Sequence, residues 1–302
     1  MDKTYLRVNV FCDQRWGGNP LAVFADSADL PADTMQRIAH EMMLPETSFI
    51  VPSELPECLF RLRIFTPLTE LPMAGHPTVG TAFALAELGL IHSGMKSCQL
   101  ELGVGPVALS LEWDAQRLKQ AWMTQPTPEF GQQCIDRAQV AACLGLQPHD
   151  LADEALPAQI VSSGVALLFI PLANRAAVDR AQLDRERAKA LYGALGESER
   201  PVYVFTLEPG DDDALTYSRM FAPIFGIDED PATGGACGPL GAYLTRYAGA
   251  RNKGGREVMI NIQGVNMGRP SRILIKPDSD PHGPVAVGGQ ANIVGSGTLK
   301  LA

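Results

Sequence analysis

Residues 63–67 read Arg-Ile-Phe-Thr-Pro, and residues 219–223, about half a chain length later, read Arg-Met-Phe-Ala-Pro. Each pentapeptide is followed by an acidic residue, then by a glycine turn, and then by an apolar segment. The same order of features twice in one chain indicates an internal duplication and predicts two similar lobes. The acids and glycines concerned are Glu70 and Gly75 in the first copy, and Glu229, Asp230, Gly234 and Gly235 in the second.

The apolar segment that follows each glycine turn has no polar face. Residues 79–90 contain one charged side chain, Glu87, and residues 240–244 contain none. A helix that is apolar all round is buried all round, so we expect one central helix in each lobe. Pro239 suits the first turn of the second helix, and Gly249 is placed to end it.

The remaining segments predict a small amphipathic helix and many strands. Apolar residues recur at helical spacing over residues 35–43, with Asp33 placed to cap the helix and Gln36 to complete a capping box. Elsewhere short apolar runs alternate with glycine and proline, a pattern typical of closed or strongly curved sheets.

The two glycine turns predict an anion-binding site. Each turn opens a helix, and a helix N-terminus presents unpaired N–H groups with partial positive charge. Two such ends facing one cleft would bind a small carboxylate or phosphate.

Composition excludes several classes of partner. The chain has 302 residues, 46% of them hydrophobic, and a net charge of −9. An acidic surface argues against nucleic acid or an anionic membrane as partner. No apolar run approaches the ~20 residues that span a bilayer, and the N-terminus lacks a secretion signal, so we expect a cytoplasmic protein. The six cysteines form no Cys-x-x-Cys pair, which predicts reduced thiols and no metal site.

A series of motifs, running in order from residue 18 to residue 289, resembles the phenazine-biosynthesis PhzF-like family. No single motif is specific, but together they cover nearly the whole chain. They are residues 18–23 (Gly-Asn-Pro-Leu-Ala-Val), 46–49 (Glu-Thr-Ser-Phe), 63–67, 75–78 (Gly-His-Pro-Thr), 221–223 (Phe-Ala-Pro), 229–234 (Glu-Asp-Pro-Ala-Thr-Gly), 264–270 (Gly-Val-Asn-Met-Gly-Arg-Pro) and 287–289 (Val-Gly-Gly).

The resemblance implies an α+β fold of the diaminopimelate-epimerase type. This fold has two pseudo-symmetric lobes, each a mixed β-barrel wrapped around a central buried helix. We expect an N-terminal lobe over residues 1–125, with the final C-terminal strand able to return to it, and a C-terminal lobe over residues 126–302. The resemblance further implies an isomerase that needs no cofactor and works as a homodimer.

Isomerisation without a metal or cofactor needs a group that removes a proton from carbon and returns it elsewhere, which a carboxylate can do. An exposed Glu, with a pKa of about 4.3, is a poor base towards carbon, and burial raises the pKa. The resemblance assigns this role to Glu46, which follows Leu44-Pro45 and precedes an apolar strand. From the residue alone, a surface Glu at a loop–strand junction is the alternative.

The resemblance also implies two assisting residues and a set of binding residues. His76 would orient the substrate or relay a proton, the alternative being a helix-capping His. Asp230 would hold the substrate's amino or hydroxyl group, the alternative being an ordinary N-terminal cap. The helix heads that would bind a substrate carboxylate, unless they are simple turns, comprise Gly75, Pro77, Thr78, Gly234, Gly235 and Ala236.

Three departures from related enzymes bear on the substrate. Epimerases of this fold use one cysteine at each helix head, whereas here Ala74 occupies the first position and Cys237 stands alone. Two-thiol racemisation is therefore disfavoured, and Cys237 is interpreted as a small buried residue. Gly235 stands where phenazine enzymes tend to carry a hydroxyl residue, and Pro77 replaces a smaller one.

These observations predict a cofactor-independent isomerase acting on a small anionic metabolite that carries a carboxylate. The alternatives left open are a racemase or epimerase of the same fold and a non-catalytic protein that binds small anions. The sequence does not identify the substrate.

Overall fold

The computed structural model describes residues 2–210, 213–249 and 257–301. The strands are β1 (Asp2–Val10), β2 (Asn19–Phe24), β3 (Glu46–Val51), β4 (Phe60–Phe65), β5 (Glu70–Leu71), β6 (Ser97–Leu102), β7 (Gly105–Asp114), β8 (Arg117–Gln125), β9 (Glu129–Cys134), β10 (Ala158–Ser162), β11 (Ala166–Pro171), β12 (Val202–Thr206), β13 (Thr216–Ala222), β14 (Ile227–Asp230), β15 (Met259–Gln263), β16 (Ser271–Lys276), β17 (Val285–Gly289) and β18 (Ala291–Lys300). The α-helices are α1 (Ala32–Met42), α2 (Gly75–Glu87), α3 (Arg137–Ala142), α4 (Arg175–Arg180), α5 (Arg185–Leu195) and α6 (Gly234–Tyr247).

The chain divides into two compact units. The described residues of the first lie within Met1–Thr124, Ser271–Ile273 and Ala286–Ala302, and those of the second within Gln125–Pro270 and Leu274–Val285. In the parts of the chain that the structure describes, no helix is long and apolar enough to cross a membrane.

The first unit is a mixed sheet around α2. Strand β1 pairs antiparallel with both β18 and β2, and β2 runs parallel to β3. The sheet continues through an antiparallel β3–β4 pair, a parallel β4–β6 pair, and the antiparallel pairs β6–β7 and β7–β8. Every residue of α2 from Gly75 to Leu85 is buried. The prediction of a helix buried on all sides is therefore confirmed for this unit.

The second unit repeats the arrangement around α6. Antiparallel pairs join β9 to β10 and β10 to β11, β11 runs parallel to β12, β12 is antiparallel to β13, and β13 is parallel to β15. Helix α6 is buried from Ala236 to Leu244. A Cβ on Gly241 would approach Ile275 Cγ2 to 2.7 Å, which shows how closely this helix packs within its unit. The α+β fold class predicted from the sequence is confirmed.

The two predictions about the start of α1 were wrong. Helix α1 begins at Ala32 after Pro31 and has no side-chain cap; Asp33 accepts a hydrogen bond from the adjacent Thr34 N–H instead. Gln36 does not complete a capping box, because its amide donates to Thr66 O at 2.9 Å, a tertiary contact that outweighs the local one.

Pro239 does not open the second central helix. Helix α6 begins at Gly234, so that Pro239 lies inside it. Residues 234–238, which precede Pro239 in this helix, are the small residues Gly-Gly-Ala-Cys-Gly. They carry no periodic pattern from which the start of a helix can be predicted.

Candidate active site

In the first unit, a carboxylate and an imidazole meet at the head of α2. Glu46 is the first residue of β3 and His76 is the second residue of α2. Glu46 Oε2 and His76 Nε2 are 3.2 Å apart. Both residues are buried, Glu46 with 8% and His76 with 3% of its surface exposed, so the alternative of a surface Glu at position 46 does not hold.

Burial determines the charge of the imidazole. Desolvation lowers the pKa of His76 to about 3, so the ring is neutral near pH 7. The 3.2 Å contact between Glu46 Oε2 and His76 Nε2 is not aligned as a hydrogen bond. A carboxyl group and a neutral imidazole at this distance can exchange one proton after a small rotation of either side chain.

The start of α2 leaves backbone donors near this pair. Ala74 is its N-cap, in an extended conformation and without a side-chain cap. Pro77 has no N–H, and Thr78 donates its hydroxyl to Ala74 O at 2.7 Å. Of the predicted binding residues in this unit, Gly75 therefore offers a first-turn N–H, whereas the Thr78 hydroxyl is used within the helix.

An Arg–Glu pair holds the hairpin that leads to each helix head. In the first unit Arg63 donates two hydrogen bonds to Glu70, of 2.7 and 2.6 Å. In the second Arg219 donates two to Glu229, of 2.9 and 2.8 Å. The guanidinium of each arginine also lies over the phenylalanine two residues on. These contacts explain why the arginine, the phenylalanine and the following acid recur together in the sequence.

In the second unit, Asp230 ends β14 and is buried. The N-cap of α6 is Thr233, so Asp230 is not the residue that caps this helix. Thr233 Oγ1 instead donates to Asp230 Oδ2 at 2.6 Å. A buried carboxylate that accepts this bond has one oxygen fixed by the protein.

The other predicted binding residues of this unit form the first turn of α6. Gly234 O accepts a hydrogen bond of 2.8 Å from Gln125 Nε2. Ala236 is fully buried. Gly235 is partly exposed, and a Cβ added there would meet no atom within 4 Å. Gly235 is thus the position of this turn with open space beside it.

Cys237 lies in a buried polar cluster of the second unit. Its Sγ is 3.9 Å from Tyr203 Oη and 3.7 Å from Asn261 Nδ2. Burial raises the pKa of this thiol to about 12, so it stays protonated near pH 7. This is the environment of a small structural residue.

Sequence reasoning missed Gln263, the residue that binds the turn between Asp230 and Thr233. Its amide donates to Asp230 O and to Thr233 Oγ1, both at 2.8 Å. Thr233 could have been found in the motif around Asp230, but nothing in the alternating pattern of β15 distinguishes Gln263. Among the described residues, no three His, Cys, Asp or Glu side chains come together as metal ligands would.

A mixed sheet packed around a largely buried helix, built twice in one chain, defines an α+β protein of the diaminopimelate-epimerase type. The family model described as phenazine biosynthesis-like protein matches residues 8–297, and the chain belongs to this PhzF-like family.

Curated relatives and a solved structure agree with that assignment. An uncharacterized isomerase (mll1393) of Mesorhizobium japonicum is 36% identical over 302 residues, covering 99% of each chain. The trans-2,3-dihydro-3-hydroxyanthranilate isomerase of Pseudomonas chlororaphis is 33% identical, covering 98% of this chain and 99% of its own. The PhzF-family phenazine biosynthesis protein of Bacillus anthracis superposes with a TM-score of 0.86 at 26% identity and full coverage of both chains. The protein is an isomerase of this family.

Proposed function

We propose that the protein is a cofactor-independent isomerase in which Glu46 moves a proton on a small substrate that carries a carboxylate. The observation that supports this is the buried contact of 3.2 Å between Glu46 Oε2 and His76 Nε2 at the head of α2. The carboxylate takes a proton from a carbon atom next to a C=C bond, and the C–H electron pair forms a new double bond to the adjacent carbon. The electron pair of the original double bond moves to its far carbon, which takes the proton back from the Glu46 carboxyl.

The neighbouring residues assist this transfer. His76 is neutral, because burial lowers its pKa to about 3, so it adds no positive charge that would weaken Glu46 as a base. The neutral ring can relay or orient the proton. The first-turn N–H of Gly75 supplies a donor for the carboxylate of the substrate. Asp230 is proposed to hold an amino or hydroxyl group of the substrate, as the family resemblance implies.

The substrate class is proposed from chemistry and from the relatives together. Trans-2,3-dihydro-3-hydroxyanthranilate, in the name of the Pseudomonas chlororaphis relative, carries a carboxylate, an amino group and a hydroxyl group. We propose small carboxylates bearing an amino or hydroxyl group, with this compound as the first assay substrate. Homodimeric assembly and a cytoplasmic location are further proposals from the resemblance, which sedimentation and cell fractionation would check.

The test replaces Glu46 by Gln, which keeps the shape of the side chain but cannot accept a proton. Glu46→Gln should lower turnover by about 10²–10⁴-fold and abolish deuterium uptake from heavy water, followed by NMR. Affinity for the substrate should stay within roughly tenfold, or ~1.4 kcal/mol. Glu101→Gln is the matched control, because Glu101 is equally buried in the same unit but binds Ser53 Oγ and Glu54 N.

Turnover that survives Glu46→Gln would contradict the proposal. A protein that only binds anions would show no Glu46-dependent exchange with any carboxylate of a screened panel. Exchange confined to one carbon, with inversion there, would instead indicate a racemase.

A further inference from the structure

The second unit contains a cavity with apolar walls, and none of the residues proposed for catalysis lines it. Its volume is about 280 Å³, close to the lower limit for pockets that hold small molecules. The cavity is formed by β9, β10, β11, α3 and the loop that leads into β10. Its walls include Val140, Leu151, Leu156, Ala158, Ile170 and Pro171. This size and lining suit a small ligand with an apolar body.

One arginine brings a positive charge to these walls. Arg137 lines the cavity and is partly buried. The acids nearest to it along the chain have other partners, because Asp136 accepts from Gln139 N and Asp150 pairs with Arg180. Within the described parts of the chain, no carboxylate forms an ion pair with the Arg137 guanidinium. The cavity therefore has a cationic group whose charge the protein does not match.

Backbone carbonyls hold the Arg137 guanidinium in place without neutralising it. Its Nη2 donates to Ala152 O at 2.9 Å, to Pro148 O at 3.2 Å and to Leu151 O at 3.4 Å. A guanidinium has five N–H donors, and only the two on Nη2 serve these carbonyls. The three N–H groups on Nε and Nη1 have no acceptor among the residues that the structure describes. The charge is thus fixed in position before a ligand arrives, which lowers the entropic cost of binding.

A carboxylate is the group that completes this arrangement. A partly desolvated cation is costly unless it is paired, and carbonyl dipoles supply only part of the compensation. A carboxylate would accept charge-assisted hydrogen bonds from the remaining N–H groups of Arg137. The rest of the ligand would leave water by packing on the apolar walls. A neutral ligand would gain only the second of these contributions.

We propose that this cavity is a second binding site, which takes a small monocarboxylate with an apolar body. The carboxylate contacts Arg137, and the apolar body packs against Leu156 and Ile170. Glu154, an exposed residue of the lining, disfavours a second negative charge on the ligand. The site does not depend on the role proposed for Glu46.

The test titrates the protein with isovalerate and follows the methyl signals of its isoleucines by NMR. The Ile170 signal should shift saturably, with a dissociation constant of about 1 mM or lower. The signal of Ile38, in α1 of the first unit, should stay in place. Isovaleramide has the same shape without the charge, and acetate has the charge without the apolar body. Each should bind at least about tenfold more weakly than isovalerate.

Two variants remove the site in different ways. Arg137→Met keeps an apolar stem but loses the charge, and it should weaken isovalerate binding at least about tenfold. Arg180→Met is the matched control, because Arg180 pairs with Asp150 in the same unit but does not line the cavity. Ala158→Leu fills the cavity, leaves Arg137 in place and should abolish the Ile170 shift. Circular dichroism shows whether each variant is folded.

Three results would overturn the proposal: an Ile170 signal that isovalerate does not move, an amide that binds as tightly as the acid, or unchanged affinity in folded Ala158→Leu. The comparison of acid with amide uses the wild type alone, so it decides the proposal even if a variant does not fold. Equal losses of affinity in Arg137→Met and Arg180→Met would also overturn it. The effect of Glu46→Gln on turnover bears only on the proposed function.

Discussion

His76 is a buried imidazole whose charge state can be tested without knowing the substrate. Burial lowers its pKa from 6.5 to about 3 in the folded protein. Below pH 6.5 the unfolded chain binds a proton at this residue that the folded chain does not. The contribution of the neutral His76 to the free energy of unfolding is therefore fully present above pH 6.5. It is lost as the pH drops towards 3.

We expect this single residue to remove about 2 kcal/mol of unfolding free energy between pH 7 and pH 5. His76→Gln should abolish that component, measured as the difference in urea unfolding between the two pH values. His40→Gln, the same substitution at an exposed position on α1, is the control for the chemical change itself. Equal pH dependence in wild type and His76→Gln would show that His76 titrates alike in the folded and unfolded states, as an ion pair with Glu46 would allow.

For individual residues, the sequence identifies candidate site residues but not the residues that each of them contacts. Glu46, His76 and Asp230 were identified through motifs, and the structure places the first two in contact and the third in a separate hydrogen-bond network. Gln263 escaped notice because its hydrogen-bond partners, Asp230 and Thr233, lie in a turn far earlier in the chain. A buried glutamine in an alternating strand has no local signature, so only the folded contacts reveal it.

The duplication is clearest in the strands and helices, because the same kind of hairpin leads to each buried helix. A short strand, β5 or β14, is held by the Arg–Glu pair and passes the chain to α2 or α6. Sequence patterning found the central helices, since a segment without a polar face has one physical solution. It did not find β5 and β14, because two and four residues are too few to show an alternating period.

The two arginines make unequal contacts, which gives a prediction with an internal control. Arg219 is buried and, beyond Glu229, donates to Val178 O, Asp179 O and Ala181 O at the end of α4. Lysine cannot make these bonds together with a bidentate pair. Arg219→Lys should therefore lower the free energy of unfolding by about 2–4 kcal/mol. Arg63→Lys, in the more exposed pair, should cost about 0–1 kcal/mol.

Urea unfolding of both variants checks this difference. Circular dichroism at low denaturant would first show that each variant is folded. Equal losses in the two variants would mean that the α4 contacts add no stability to the second unit.

The first and the last described strands, β1 and β18, lie in the same unit. Strand β1 pairs with β18 in antiparallel register from Asp2 with Lys300 to Val10 with Ala291. The family resemblance implied that the final strand can return to the N-terminal lobe. Local patterns do not encode which residues pair, because the register is decided by the final packing of the sheet. The partner strand and the register of β18 therefore come from the structure.

This pairing predicts that the chain tolerates circular permutation. Paired antiparallel residues lie about 5 Å apart, so a short glycine–serine linker can join the two ends without strain. New ends placed between Glu154 and Ala155, both exposed, interrupt no strand or helix. We expect this permutant to melt within about 5 °C of the wild type, a shift that corresponds to ~1–2 kcal/mol or less. A permutant opened between Leu21 and Ala22, buried in β2, should not fold, because it breaks a strand paired on both sides. If opening the exposed turn were as damaging as opening β2, the pairing of β1 with β18 would not describe the folded chain in solution.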